Sequence, residues 1–165
     1  MDSDEHCVIC CEDLKSSKHF FTCENCKSSV HYTCIETKIP SELVGDVFFS
    51  YICKICSRLK ADEFVRQKMS WMNIITLALY NLQENSIHSS KYGFFHWKIH
   101  ICDLIERNWT SLFGRSMKKK KTWIGTVSGT LSHYSPHFFL SGQKILNESG
   151  WWKLSHSLTP AELAQ

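Results

Sequence analysis

A small metal-stapled finger followed by an α+β domain of three helices and a β-hairpin is the architecture this sequence predicts. Three observations predict it. Seven cysteines and one histidine are grouped at fixed short spacings within the first 56 residues. Three amphipathic segments follow, with apolar side chains recurring near the helical period. Two aromatic-rich stretches near the C-terminus then flank a polar loop with a glycine near each end, the form of a hairpin.

The ligand candidates run Cys7-x-x-Cys10, Cys23-x-x-Cys26, His31-x-x-Cys34 and Cys53-x-x-Cys56. Two intervening residues let both side chains of a tight knuckle turn toward one ion about 2.0–2.3 Å away. Eight donors make two closed four-coordinate sites with no position open for a catalytic water, which reads as structural Zn2+, two ions per chain. A disulfide framework would use the same residues in a secreted chain. Met1-Asp2-Ser3-Asp4-Glu5, however, has neither the basic nor the apolar stretch of a leader. The longest mostly apolar run, Ile74 to Tyr80, is far shorter than the roughly 20 residues that cross a bilayer. No membrane partner and no small-molecule substrate are expected. Reduced thiols at this spacing argue for metal. Cys11 adjoins Cys10, and spacing alone leaves open which of the two is the ligand. Cys102, within an apolar helical pattern, reads as a buried, inert thiol.

The chain divides near residue 60. The first sixty residues carry nine acidic and seven basic side chains, and the remainder carries seven and twelve. A finger over 1–59 is therefore acidic and a domain over 60–157 basic, followed by a tail at 158–165 read as one helical turn or disorder. Zinc sharpens the contrast, because three thiolates around the dication leave one negative charge and four leave two. Opposite signs suggest modules with different partners.

In the second module, Val65, Met69, Met72, Ile75, Leu79 and Leu82 fit one helix, with Phe64, Trp71 and Ile74 widening its stripe and Thr76 its one polar residue. A second helix is expected from Trp97 to Phe113, with Gly114 as its stop. A third runs from Thr122, read as its cap, to about His133, with Trp123, Val127 and Leu131 inward. Phe138-Phe139-Leu140 and Trp151-Trp152-Lys153-Leu154 form the hairpin. Three helices and a hairpin are the layout of a winged helix, whose third helix commonly approaches DNA. Most of the tryptophans suit a core, but Trp151 and Trp152 alternate across the strand, so one faces outward or into an interface.

Candidate nucleic-acid contacts are Arg115, Lys118, Lys119, Lys120, Lys121, Lys144 and Lys153. A lysine run at the entrance to the third helix suits phosphates, a nuclear import signal or a solvated loop. The outer positions of that helix offer no arginine, asparagine or glutamine for a bidentate base contact. Gly125 and Gly129, four residues apart, make a smooth face that admits a partner backbone. Together with Trp152 they are the candidate partner-binding residues.

The ladder of four cysteines, one histidine and three cysteines, with His31 five positions after Cys26 and Tyr51 two before Cys53, resembles the PHD finger. The resemblance implies interleaved pairs: Cys7, Cys10, His31 and Cys34 on one ion, and Cys23, Cys26, Cys53 and Cys56 on the other. Many PHD fingers read a methylated histone tail through an aromatic cage. The usual cage tryptophan position is Ser29 here, and Phe20 and Phe21 are the only candidate walls, which suit a small apolar core better. Glu12, Asp13 and Glu24 could still attract a basic histone tail. The alternative is a RING-like E3 ubiquitin ligase, since Val8 and Ile9 put apolar residues in the first knuckle.

The second module also resembles a family. Trp71, Leu77-Ala78-Leu79-Tyr80-Asn81-Leu82, Phe95-His96-Trp97-Lys98, Ile105-Glu106, Trp109, Trp123 and Gly150-Trp151-Trp152-Lys153-Leu154 are similar to the N-terminal region of the cysteine-rich-protein-two-binding family. Those proteins are acetyltransferase-like subunits of a coactivator complex. The acetyltransferase domain of that family lies far downstream, so acetyl transfer is not implied. With the residues read above, the resemblance leads to the expectation of a non-enzymatic nuclear chromatin or transcription adaptor, whose finger docks protein and whose winged helix contacts protein complex subunits or, through its lysines, DNA without sequence preference.

Overall fold

The computed structural model describes residues 5–16, 19–115 and 117–164. The acidic N-terminal residues 1–4, read as lacking a leader, and Gln165 at the end of the tail lie outside the described residues. The chain splits into two compact units, Met1–Gln67 and Lys68–Gln165.

The first unit is two antiparallel hairpins. β1 (Phe20–Thr22) pairs with β2 (Ser29–His31), setting Phe21 opposite Val30. β3 (Phe49–Ile52) pairs with β4 (Glu63–Arg66), setting Tyr51 opposite Phe64. Residues 64 and 65, assigned from periodicity to the first helix, are therefore strand. Strand alternation turns the Phe64 ring onto Phe21 and Tyr51, at centroid distances of 5.3 and 5.2 Å, and leaves Val65 65% exposed. Pairing with a partner strand a dozen residues upstream overrides a local helical pattern. Arg66 locks this hairpin: its guanidinium forks onto fully buried Asp46 at 2.8 and 2.7 Å and lies 4.0 Å from the Phe49 ring centroid.

The second unit is built around α1 (Trp71–Asn85), in which every residue from Ile74 to Leu82 is buried. Ser70 begins it, its hydroxyl accepting from the Asn73 N–H. β5 (Phe95–His96) follows. The expected second helix is not continuous: a π-helical turn over Trp97–Cys102 leads into α2 (Asp103–Arg107), and Asn108 separates that from α3 (Trp109–Phe113). At Asn108 the backbone N–H is shared between the Leu104 and Ile105 carbonyls, and the side-chain amide donates to the Leu104 carbonyl as well. In α4 (Trp123–His133), Trp123, Val127 and Leu131 are buried. Thr122 is not a side-chain cap. It has helical backbone, and its carbonyl accepts from both the N–H and the hydroxyl of Thr126.

β6 (Phe139–Ser141), α5 (Gln143–Leu146) and β7 (Trp151–Leu154) complete the hairpin and its loop. β7 also pairs with β5, giving a three-stranded sheet in the order β5-β7-β6. Two loop glycines are required. A Cβ at Gly142 would lie 2.9 Å from the Phe94 ring, and Gly150, at φ +88°, would meet Trp97 at 2.9 Å. α6 (Pro160–Leu163) packs on α1, with buried Thr159 accepting from the Glu162 N–H and donating to its carboxylate. Three helices are gathered by aromatic rings: Trp71 of α1 stacks on Trp123 of α4 at 6.3 Å, and Trp109 of α3 meets that ring edge-on at 5.3 Å.

Candidate metal centre and winged-helix face

The knuckles bring their side chains into two groups. Cys7, Cys10, His31 and Cys34 form one, Cys23, Cys26, Cys53 and Cys56 the other, and within each the ligand atoms all lie within 4.8 Å of one another. Two sulfurs held 2.3 Å from a tetrahedral centre sit about 3.8 Å apart. The Cys26 and Cys53 sulfurs are 3.8 Å apart, and His31 Nδ1 lies 3.3 Å from Cys10 Sγ and 3.9 Å from Cys34 Sγ. The donor sets and their spacing fit Zn2+. His31 is oriented for it: its other ring nitrogen lies 3.0 Å from the Asp13 carbonyl oxygen and donates to it, leaving the Nδ1 lone pair for metal. Nothing in the sequence marks Asp13 for this role, because the acceptor is a backbone atom.

Backbone amides support the sulfurs. The N–H groups of Ile9 and His31 both point at Cys7 Sγ, and that of Cys53 at Cys23 Sγ, each at 3.4 Å. Burial pushes the Cys7 thiol up, but amide donors more than offset this and bring it to about 6. Cys26 also falls to about 6, chiefly through the Ser28 hydroxyl and amide. Cys34 rises to about 11, through desolvation first and then its neighbours Cys10 and Cys7. Three sulfurs in one set and four in the other, this close together, cannot all ionise by themselves, and a dication is the partner that lets them. Cys10, not Cys11, lies in the first group. Cys11 has a left-handed backbone, φ 63°, and an exposed side chain. Cys102 is buried, and burial pushes its thiol up to about 11.

Ser29 is buried, its hydroxyl 2.8 Å from that of Thr22. Phe21 is in the core, whereas Phe20 is 42% exposed on the other side of the strand. The two rings therefore neither wall one cage nor both fill the core. Asp62, which the ligand ladder does not single out, gathers donors from the Tyr51 hydroxyl, the Thr37 hydroxyl and the Lys54 N–H. It ties the last knuckle to β3.

On the second unit, Arg115 and Lys118 to Lys121 are exposed in the loop before α4. Lys119 pairs with Glu106 at 3.2 Å, and the Trp109 indole N–H donates to the Met117 carbonyl just ahead of the run. Lys144 is exposed on α5, while the Lys153 ammonium lies 4.8 Å from the Phe94 ring centroid. The seven basic residues thus come from three places: the loop, α5 and β7. Gly125 and Gly129 are exposed, with nothing within 4 Å of the Cβ position. Trp151 is buried and Trp152 half-buried.

Two crossed four-donor sets followed by the helices α1 to α4 and a winged hairpin make this chain a PHD-type zinc finger joined to a winged helix. Over 120 residues, 73% of its length, it is 43% identical to Cysteine-rich protein 2-binding protein of Homo sapiens, in that protein's N-terminal part. Over 115 residues, 68% of its length, it is 33% identical to Metal-response element-binding transcription factor 2 of Homo sapiens. The chain spans 15% and 18% of the lengths of these two relatives. Its fold matches a solved structure of the PHD2 and winged-helix domain of Polycomblike with a TM-score of 0.70 at 23% identity, covering 97% of this chain and 83% of that one. No family model matches the chain.

Proposed function

We propose that the chain is a chromatin- and transcription-associated adaptor of the nucleus, which binds rather than catalyses. The acidic finger docks a protein. The winged helix meets a protein subunit of a nuclear complex through Gly125, Gly129 and Trp152, or the DNA backbone through its lysines. The observation that carries this reading is the completeness of both ligand sets: four donors each leave no coordination position at which zinc could activate water. The relatives support it, one of them named as a transcription factor. The smooth outer face of α4 favours a protein over base reading, because the Thr126 and Thr130 hydroxyls are turned onto backbone carbonyls of their own helix.

The test sets the two partners against each other in the full chain. Gly125→Leu and Gly129→Leu should abolish co-purification of nuclear subunits while leaving the fold intact, with an unfolding midpoint no lower than that of the unsubstituted chain. Replacing Lys118 to Lys121 by alanine should weaken duplex binding equally for unrelated sequences and flatten the salt slope by up to about four. Tight, sequence-specific duplex binding at near-physiological salt would overturn the preference for a protein. The ligase alternative draws on Val8 and Ile9, 58% and 56% exposed in the first knuckle. It requires that ubiquitin-charged conjugating enzymes discharge faster with the chain and not with Ile9→Ala. No stimulation is expected.

A further inference from the structure

The finger carries a concave groove of about 590 Å3. Val8 and Ile9 of the first knuckle and Ile55 of the last line it, together with Ile35, Glu36 and Asp62. Cys26, Cys53 and Cys56, three of the four ligands of the second set, also line it. An ion there would fill only a small part of it, since one water molecule takes about 30 Å3. Ile55 is 88% exposed, although the cysteines at 53 and 56 pin the chain on either side of it. Three large aliphatic side chains are thus held in water by knuckles that cannot fold away, which is the condition of a docking surface rather than of a loose loop.

The electrostatics specify what fits. With zinc bound, the four-thiolate set, three of whose cysteines line the groove, carries two negative charges and the other set one. Exposed Glu36 adds to them, and Lys54 is the single cation among the lining residues. The Asp62 carboxylate, which also lines the groove, is held in position by the three donors described above. We infer that this groove binds a linear segment of a partner protein that presents one or two aliphatic or aromatic side chains beside lysine or arginine. The inference rests on the finger's role as a protein-docking element and names the surface and the chemistry of its partner.

The experiment selects random dodecapeptides displayed on phage against the zinc-loaded full chain, then titrates the selected peptides, synthesised, into methyl-labelled protein. The expected result is a pool enriched in large apolar residues next to Lys or Arg, with methyl shifts at Val8, Ile9, Ile35 and Ile55. Ile55→Ser and Glu36→Lys should each weaken binding about tenfold or more, roughly 1.4 kcal/mol, while both variants retain two zinc ions. Failure to select any peptide, a pool without basic residues, shifts confined to the outer face of β1, or equal binding by the variants would overturn the proposal. So would a response of these methyls only to a folded conjugating enzyme. Co-purification from nuclei separates this inference from the reading beneath it. Partners lost with Cys34→Ala but kept with Ile55→Ser would leave docking intact and refute the groove, whereas partners kept with both would refute docking by the finger itself.

Discussion

His96 and His100 show how much of this fold rests on single side chains whose roles a sequence does not display. His96 Nδ1 accepts from the Lys98 and Ile99 N–H groups at 3.2 Å and so starts the π-helical turn, while His100 Nδ1 accepts from the His96 N–H at 2.9 Å. Both nitrogens must be unprotonated. Burial holds each ring below its usual value, against Glu148 for His96 and Asp103 for His100, with Lys91 and Lys98 acting on His96 and His96 on His100 in the same direction as burial. Between the lowered folded value and the ordinary one, the unfolded chain binds more protons, so stability is full above about pH 6.5 and declines as pH falls below it. All six tryptophans lie at or beyond Trp71, so their fluorescence follows the second unit alone. The denaturant midpoint read this way should fall from pH 7 to 5. His100→Gln, whose amide oxygen can still accept from the His96 N–H, should flatten the trend, and a midpoint constant or rising toward pH 5 would refute the assignment. The zinc ligands, by contrast, were legible because a metal imposes a spacing on sequence, whereas a histidine accepting backbone hydrogen bonds imposes none.

At the scale of elements, what sequence showed well was what local periodicity encodes. The buried face of α4 and the two strands of the hairpin were readable because their patterns are complete within one segment. β5 is only two residues long and exists because β7 pairs with it, and β4 competed with a helical pattern that continued through it. Non-local partners decided both. The glycines separate structural need from functional choice in the same way. At Gly150, a left-handed backbone and the Trp97 ring at 2.9 Å leave no room for a side chain, so Gly150→Ala should destabilise the second unit by about 1–3 kcal/mol. Gly125 and Gly129 are helical with open space around them, so alanine at either should stabilise the unit by about 0.5–1 kcal/mol. Thermal unfolding followed by tryptophan fluorescence checks both signs. A loss of stability for alanine on α4 would mean that those glycines serve the fold and not a partner.

On the scale of the whole molecule, the two units are stabilised by different means, and metal removal should expose the difference. The finger's core is small, centred on Leu14, Phe21, Val30, Phe49 and Tyr51, with two buried zinc-ligand cysteines, Cys7 and Cys23, counted within it. A cluster of that size does not hold roughly sixty residues without staples. The second unit has α1 buried on all sides along nine residues and an aromatic cluster joining three helices. Elemental analysis of reduced, carefully prepared protein should give two zinc ions per chain. A strong chelator at neutral pH should then unfold the finger, seen as collapse of the buried Leu14, Val30 and Ile39 methyl resonances toward random-coil positions. The tryptophan spectrum and denaturant midpoint of the second unit should not move. Cys34→Ala should reproduce the chelator's effect, because removing one donor opens the first site and crossed pairing passes the loss to both hairpins. Fewer than about one ion per chain would count against structural zinc, since each site's binding energy is also folding energy. A tryptophan signal that followed the metal would show that the winged helix depends on the finger for its own stability.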